Sequence, residues 1–174
     1  MEVKLNSKLL QAANGLMLFA IAIILMACDI MKLYDLNWLV GLFLLFGAAA
    51  LGFGWFLDKK DCRLATVACF YALFAIIFFA NHASVAPLFL AALAMVDAGV
   101  VIADSFKLKE ENANLWFLPA CLAALVVVLG FISCLVYKEL FFKETLVGVA
   151  FLFLALAHIA PFCLGFLPKI EIKK

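Results

Sequence analysis

Six apolar runs of about 20 residues, separated by short charged breaks, constrain this chain more than any other feature. About 20 apolar residues in helical form match a hydrocarbon layer of about 30 Å. The runs are Leu9 to Met31, Trp38 to Leu57, Leu64 to Ala83, Pro87 to Phe106, Leu115 to Tyr137 and Leu146 to Leu167. The breaks are Lys32 to Asn37, Asp58 to Arg63, Asn81 to Ala86, Lys107 to Asn114 and Lys138 to Thr145. None is long enough to hold a soluble domain. Barrel strands would alternate polar and apolar residues, so helices are the spanning form expected. The reading is an all-α integral membrane protein, a single six-transmembrane-helix bundle over residues 1–174. The third break is the weakest, and a re-entrant turn is the alternative there.

Composition excludes the competing classes. The 174 residues are 70% hydrophobic and only 14% charged, with a mean hydropathy of +1.22. A soluble domain is about 45–50% apolar and about 25% charged, and a disordered chain is more polar still. A net charge of +1 argues against a nucleic-acid partner, which would want a basic face. The chain has no ATP-binding loop, zinc motif or nucleophile elbow, so no enzyme activity, cofactor or metal is expected. The lipid bilayer is the expected surround.

Basic residues set the expected orientation. With the N-terminus inside, the inner segments hold Lys4, Lys8, Lys59, Lys60, Arg63, Lys107, Lys109, Lys169, Lys173 and Lys174, against Lys32, Lys138 and Lys143 outside. This bias places both termini in the cytoplasm. Trp38, Trp55 and Trp116 fall at span ends, as an aromatic belt requires. Leu25-Met26-Ala27-Cys28 resembles a lipoprotein cleavage box, but the first apolar run is longer than the 7–15 residues of a signal peptide core, so it is read as a span.

The cysteines, Cys28, Cys62, Cys69, Cys121, Cys134 and Cys163, form no Cys-x-x-Cys pair and read as small apolar packing residues. Span two carries Gly41, Gly47, Ala48, Ala50, Gly52 and Gly54. Ala48 and Gly52 are four apart, as are Ala50 and Gly54, a spacing that lets helices approach closely within a chain or between subunits. Phe70, Phe74 and Phe78 form a stripe at helical spacing, read as a packed or lipid-facing face.

Ionisable residues at membrane depth are costly and default to functional roles. Asp97 is about 15 Å from the outer edge of span four, and His158 is about 18 Å from the same edge of span six. Similar depth allows a hydrogen-bonded pair, read either as a proton relay or as two awkward groups neutralising each other between helices. Asp104 shares a face with Asp97 and is expected to be solvated at the inner end. Asp29, near the outer end of span one, reads equally as a mouth residue or a helix-end contact. His82 does not match His158 in depth, which disfavours a haem held by both. Gln11 and Asn14, at the inner start of span one, are either solvated by headgroups or line a polar cytoplasmic vestibule. Tyr71 is about 10 Å deep in span three. Its hydroxyl needs either a wet path or a hydrogen bond to a neighbouring helix.

The stretch Gly15-Leu16-Met17-Leu18-Phe19, followed by Ile24-Leu25, resembles the first helix of the acetate uptake transporter family, the succinate–acetate permeases. The likeness continues through Tyr34, Gly47, Lys59-Lys60, Thr66, Tyr71 and Phe74. The family's Asn-Pro-Ala-Pro-Leu-Gly signature falls on Leu10-Gln11-Ala12-Ala13-Asn14-Gly15, where only the alanine and glycine are kept. Asp97 has no counterpart in the family. The resemblance implies a channel or proton-linked transporter for small carboxylates such as acetate or succinate, built as a homo-hexamer in a bacterial inner membrane with one pore per protomer. It places an apolar pore constriction on Phe19, Tyr71 and Leu122. Such a ring gates by dewetting. The runner-up is an acid-gated urea or amide channel, whose paired pore tryptophans have no mid-span match here. A non-transporting structural or assembly subunit is the third reading, since small residues alone can pack a helical bundle.

Overall fold

A computed structural model describes residues 2–31, 37–57, 62–80, 86–110, 115–135 and 143–164. Every described segment is helical, apart from a turn at Leu115 and Trp116. The helices are α1 (Glu2–Met31), α2 (Asn37–Leu57), α3 (Cys62–Ala80), α4 (Ala86–Glu110), α5 (Phe117–Leu135) and α6 (Lys143–Leu164). In an apolar solvent each backbone N–H and C=O must find its partner within the segment, which a helix provides. Five of the helices, all but α3, are long and apolar enough to cross a membrane. In α3 the apolar stretch is Leu64–Ile77, about 21 Å at 1.5 Å per residue. The chain is therefore a helical membrane bundle.

Local chemistry sets the helix ends. Pro87 and Pro119 lie in the first turns of α4 and α5, where a missing N–H costs no helix bond. Lys107 and Lys109 close α4, where positive charge offsets the exposed carbonyl dipoles. Leu115 turns the chain into α5 with φ 59°, a left-handed conformation costing a branched residue roughly 1–2 kcal/mol. Its carbonyl accepts from the Leu118 N–H at 3.0 Å. Beside this turn the Trp116 ring lies 6.0 Å from Phe106 and 6.5 Å from Phe117, with Lys109 Nζ 5.0 Å from its centroid. A ring with an apolar body and a cation at its face suits a membrane boundary.

The helices pack in chain order, α1 on α2, α2 on α3, α3 on α4, α4 on α5 and α5 on α6, and α6 closes the ring against α1. A further contact joins α4 to α6. The α1–α6 pair is the most extensive interface and α3–α4 the lightest. The core takes Leu18, Ile21 and Leu25 from α1, Leu44 from α2, Val67 and Tyr71 from α3, Leu90 and Leu93 from α4, Val126 from α5, and Phe151 and Leu154 from α6. Buried alanines at 91, 94, 98, 123, 150, 155 and 157 fill the space between. Small side chains maximise contact where lipid tails offer no hydrophobic drive to associate. Phenylalanines 46, 53, 56 and 131 stay exposed, as lipid-facing rings should.

Close approach depends on glycine at only some of the expected places. Gly148 of α6 lies against α1, and a methyl group there would sit 2.8 Å from Met26 Cγ and 3.0 Å from the Ala22 carbonyl oxygen. Gly41 faces the Phe79 ring. Gly52, half of the small-residue pair expected at a close contact, has open space instead. Of the phenylalanine stripe, Phe70 and Phe74 stack at 6.4 Å, and Phe74 meets Phe89 of α4 at 6.0 Å. That ring contact helps form the light α3–α4 seam.

Candidate functional site

Asp97 lies on the buried face of α4 with Leu90, Ala94, Ala98 and Val101, and is 1% exposed. A carboxylate this buried costs several kcal/mol unless donors meet it. Two do, on the same oxygen. The Tyr71 hydroxyl of α3 donates to Asp97 Oδ2 at 2.5 Å, and His158 Nε2 of α6 lies 3.1 Å from that oxygen. With Asp97 ionised, the imidazole donates from Nε2. Asp97 Oδ1 has no partner. A single carboxylate thus ties α3 and α6 to α4.

Asn14 completes the cluster from α1. It is fully buried, with its amide in reach of the Tyr71 hydroxyl but with neither Oδ1 nor Nδ2 meeting the geometry of a formed hydrogen bond. Two glycines make room for the group. A methyl at Gly47 would lie 2.7 Å from Tyr71 Cδ2 and 3.3 Å from Asn14 Oδ1, so the tyrosine ring and the amide share one notch in α2. A methyl at Gly15 would lie 2.7 Å from Ile159 Cγ1, 2.9 Å from the Ala155 carbonyl oxygen and 3.2 Å from His158 Cβ. Gly15 therefore lets α6 bring His158 alongside α1. Pro161, inside α6, has no N–H for the Ala157 carbonyl, one turn earlier, and so interrupts the helix ladder beside His158.

A second polar link joins the opposite ends of α1 and α6. Asp29 Oδ2 accepts from the Thr145 backbone N–H at 3.0 Å and from its hydroxyl at 2.6 Å. The carboxylate caps the first turn of α6 from another helix, meeting a donor that has no partner within α6. Of the two readings for Asp29, the helix-end contact is the one observed. Three further polar side chains are satisfied within their own helices. Ser105 and Ser133 bond the carbonyls of Val101 and Leu129, both at 2.8 Å, and Asp104 pairs with Lys107 at 3.4 Å.

The expected constriction is not assembled. Phe19 shares an exposed stripe of α1 with Leu16, Ile23 and Ile30, turned away from Leu18, Ile21 and Leu25 in the core. Leu122 is partly buried on α5, and Tyr71 is committed to Asp97. Among the described residues, α1, α3 and α5 do not pack against one another. The physical reason is rotational: the Gly15 and Leu18 side of α1 is taken by the neighbouring helices, which turns Phe19 outward. The vestibule reading also changes. Gln11 is half-buried, but Asn14 belongs to the buried cluster rather than to a solvated entrance. Asp97 and His158 meet, whereas His82 lies outside the described residues.

The sequence marks Gly15 and Gly47, but only the packing reveals their task. A glycine directly after a buried asparagine, and another facing a buried tyrosine, would have been the signal. Fold and site together define an integral membrane helical bundle with a polar centre shared by four helices. Comparison with protein-family models, curated proteins and solved structures finds no match for this chain.

Proposed function

We propose that this protein is a channel or proton-linked transporter for a small solute, with Asn14, Tyr71, Asp97 and His158 as its polar centre. One observation carries the reading: side chains of two helices, α3 and α6, converge on one buried carboxylate of α4, and its second oxygen remains without a partner. A purely structural ion pair would be expected to satisfy its members, since an unmet polar atom in an apolar interior costs roughly 1–3 kcal/mol. Intramembrane ionisable groups of this kind mark solute and proton paths.

The resemblance of α1 and α3 to the acetate uptake transporters supports small carboxylates such as acetate or succinate as cargo, and a hexamer with one path per protomer. The basic-residue bias supports cytoplasmic termini in a bacterial inner membrane. In this reading Asp97 and His158 carry the coupled proton, Tyr71 orients the carboxylate, and no chemical conversion of the solute takes place.

Uptake of labelled acetate, succinate and urea into proteoliposomes, with and without a pH gradient, tests the proposal. Saturable uptake of at least one is expected, and transport of none would defeat it. If flux occurs but Asp97→Asn and His158→Gln leave its pH dependence intact, the relay fails while the channel stands.

A further inference from the structure

The α3–α4 seam is the lightest helix interface in the ring, and the polar centre lies across it. The seam carries the Phe74–Phe89 ring contact and the Tyr71–Asp97 hydrogen bond. On its other side α3 packs far more extensively, on α2. The Tyr71 hydroxyl donates over the seam to Asp97 Oδ2, yet a second partner stands within its reach, the Asn14 amide of α1. That amide is buried, and neither its oxygen nor its nitrogen is committed elsewhere. An amide can accept from a hydroxyl as well as donate to one.

Charge decides which partner holds the hydroxyl. A hydrogen bond to an ionised carboxylate is roughly twice as strong as one between neutral groups, and a dry interior strengthens it further. Ionised Asp97 therefore outcompetes the amide. Once Asp97 takes a proton on Oδ1, the oxygen without a partner, both choices are neutral and that advantage is lost. We propose that Tyr71 is a two-position latch: its hydroxyl closes the α3–α4 seam on ionised Asp97, and passes to Asn14 when Asp97 is protonated, which frees the seam to open. This rests on the transport reading, for which it supplies the moving part. Tyr71 keeps its own proton in both positions, and the proton gained by Asp97 comes from the aqueous phase. The titratable groups facing Asp97 are Tyr71 from α3 and His158 from α6. His158 holds Asp97 to α6 while α3 departs. On α4 itself Asp104 is about two turns away and paired with Lys107 at 3.4 Å. On α5 the titratable side chains are Cys121, exposed, and Cys134, half-buried. The seam is thus closed at high pH and opens as pH falls.

Distances between spin labels, measured by double electron–electron resonance on the full chain in lipid nanodiscs, test the latch. With the six cysteines replaced by alanine, one label goes on α3 through Ile76→Cys and one on α5 through Val128→Cys, both exposed positions. Because α5 packs closely on α4, this pair reads the movement of α3 away from α4. A second pair, Ile23→Cys on α1 with Val128→Cys, reports on the body that should stay still. Going from neutral to mildly acidic pH should shift the α3–α5 distribution to a longer population and leave the α1–α5 distribution unchanged. Asp97→Asn, whose side chain is neutral at every pH, should show the longer population at neutral pH and no pH response. Asn14→Leu removes the second position and should keep the short population in acid. A native α3–α5 distribution that ignores pH, an Asp97→Asn variant that stays closed, or an Asn14→Leu variant that opens as the native protein does, would overturn the latch. If neither variant folds, the native protein at the two pH values decides. Proteoliposome flux separates this from the transport reading. Opening without flux defeats transport and leaves the latch, and flux through a protein whose seam stays closed at both pH values defeats the latch and leaves transport.

Discussion

At Asp97 one oxygen carries two hydrogen bonds while the other carries none, and the consequences differ by partner. Tyr71→Phe removes one donor and leaves His158 in place. Hydrogen bonds between membrane helices average about 0.6 kcal/mol, with a maximum near about 1.7, so the loss in a denaturation titration should fall in that range. Asp97→Leu should cost more, because it strands both the tyrosine hydroxyl and the imidazole. The glycines give a sharper contrast. Gly47→Ala drives a methyl to 2.7 Å from the Tyr71 ring and should destabilise by about 1–3 kcal/mol, despite alanine's better helix propensity. Gly52→Ala, in open space, should leave stability unchanged or slightly raised. Equal effects of the two substitutions would show that Tyr71 does not rest on Gly47.

At the scale of helices, α6 is held to α1 at both ends, by the Gly15 and Gly148 contacts and by the Asp29 cap. Asp29→Ala should cost about 0.5–2 kcal/mol, as lost caps do, and should speed hydrogen exchange of the Thr145 amide. Exchange there unchanged from the native protein would contradict the cap. Helix existence was plain from the apolar runs, and the ends observed lie within a few residues of those expected, except that α1 begins at Glu2 rather than Leu9. The apolar span of α1 still begins at Gln11, so Asn14 stays near its inner edge, and it is the packing of α2 and α6 against α1, not depth, that buries it. Depth alone sufficed to pair Asp97 with His158. It could not find Tyr71 and Asn14, because their placement depends on helix rotation, which the notches at Gly15 and Gly47 control.

For the molecule as a whole, the same rotation explains why a likeness in α1 did not yield a constriction. The Gly-Leu-Met-Leu-Phe run aligns residues along the helix, but packing decides which of them face inward, and Phe19 does not. The high apolar content has a second consequence. With outer faces made of exposed phenylalanine, leucine and isoleucine, the few polar groups inside stand out, and the proposed function is placed on them. The proposed orientation predicts that single cysteines added near the N-terminus and near the C-terminus are labelled by an impermeant maleimide only after the inner face is opened. Labelling of the two from opposite faces would require an odd number of crossings, and α3, the shortest apolar helix, would then be the segment that fails to span.

Solute uptake by the Asp97 variant tests the central claim most directly. Proteoliposomes holding native protein, Asp97→Asn or Gly52→Ala are compared for initial uptake of labelled acetate and acetamide. If the polar centre is the path, native protein and Gly52→Ala take up at least one solute at the same saturable rate, and Asp97→Asn falls by about tenfold or more, the loss expected when a buried hydrogen-bonding group is removed from a binding site. Uptake that is absent from the native protein, or unchanged in a folded Asp97→Asn, would contradict it.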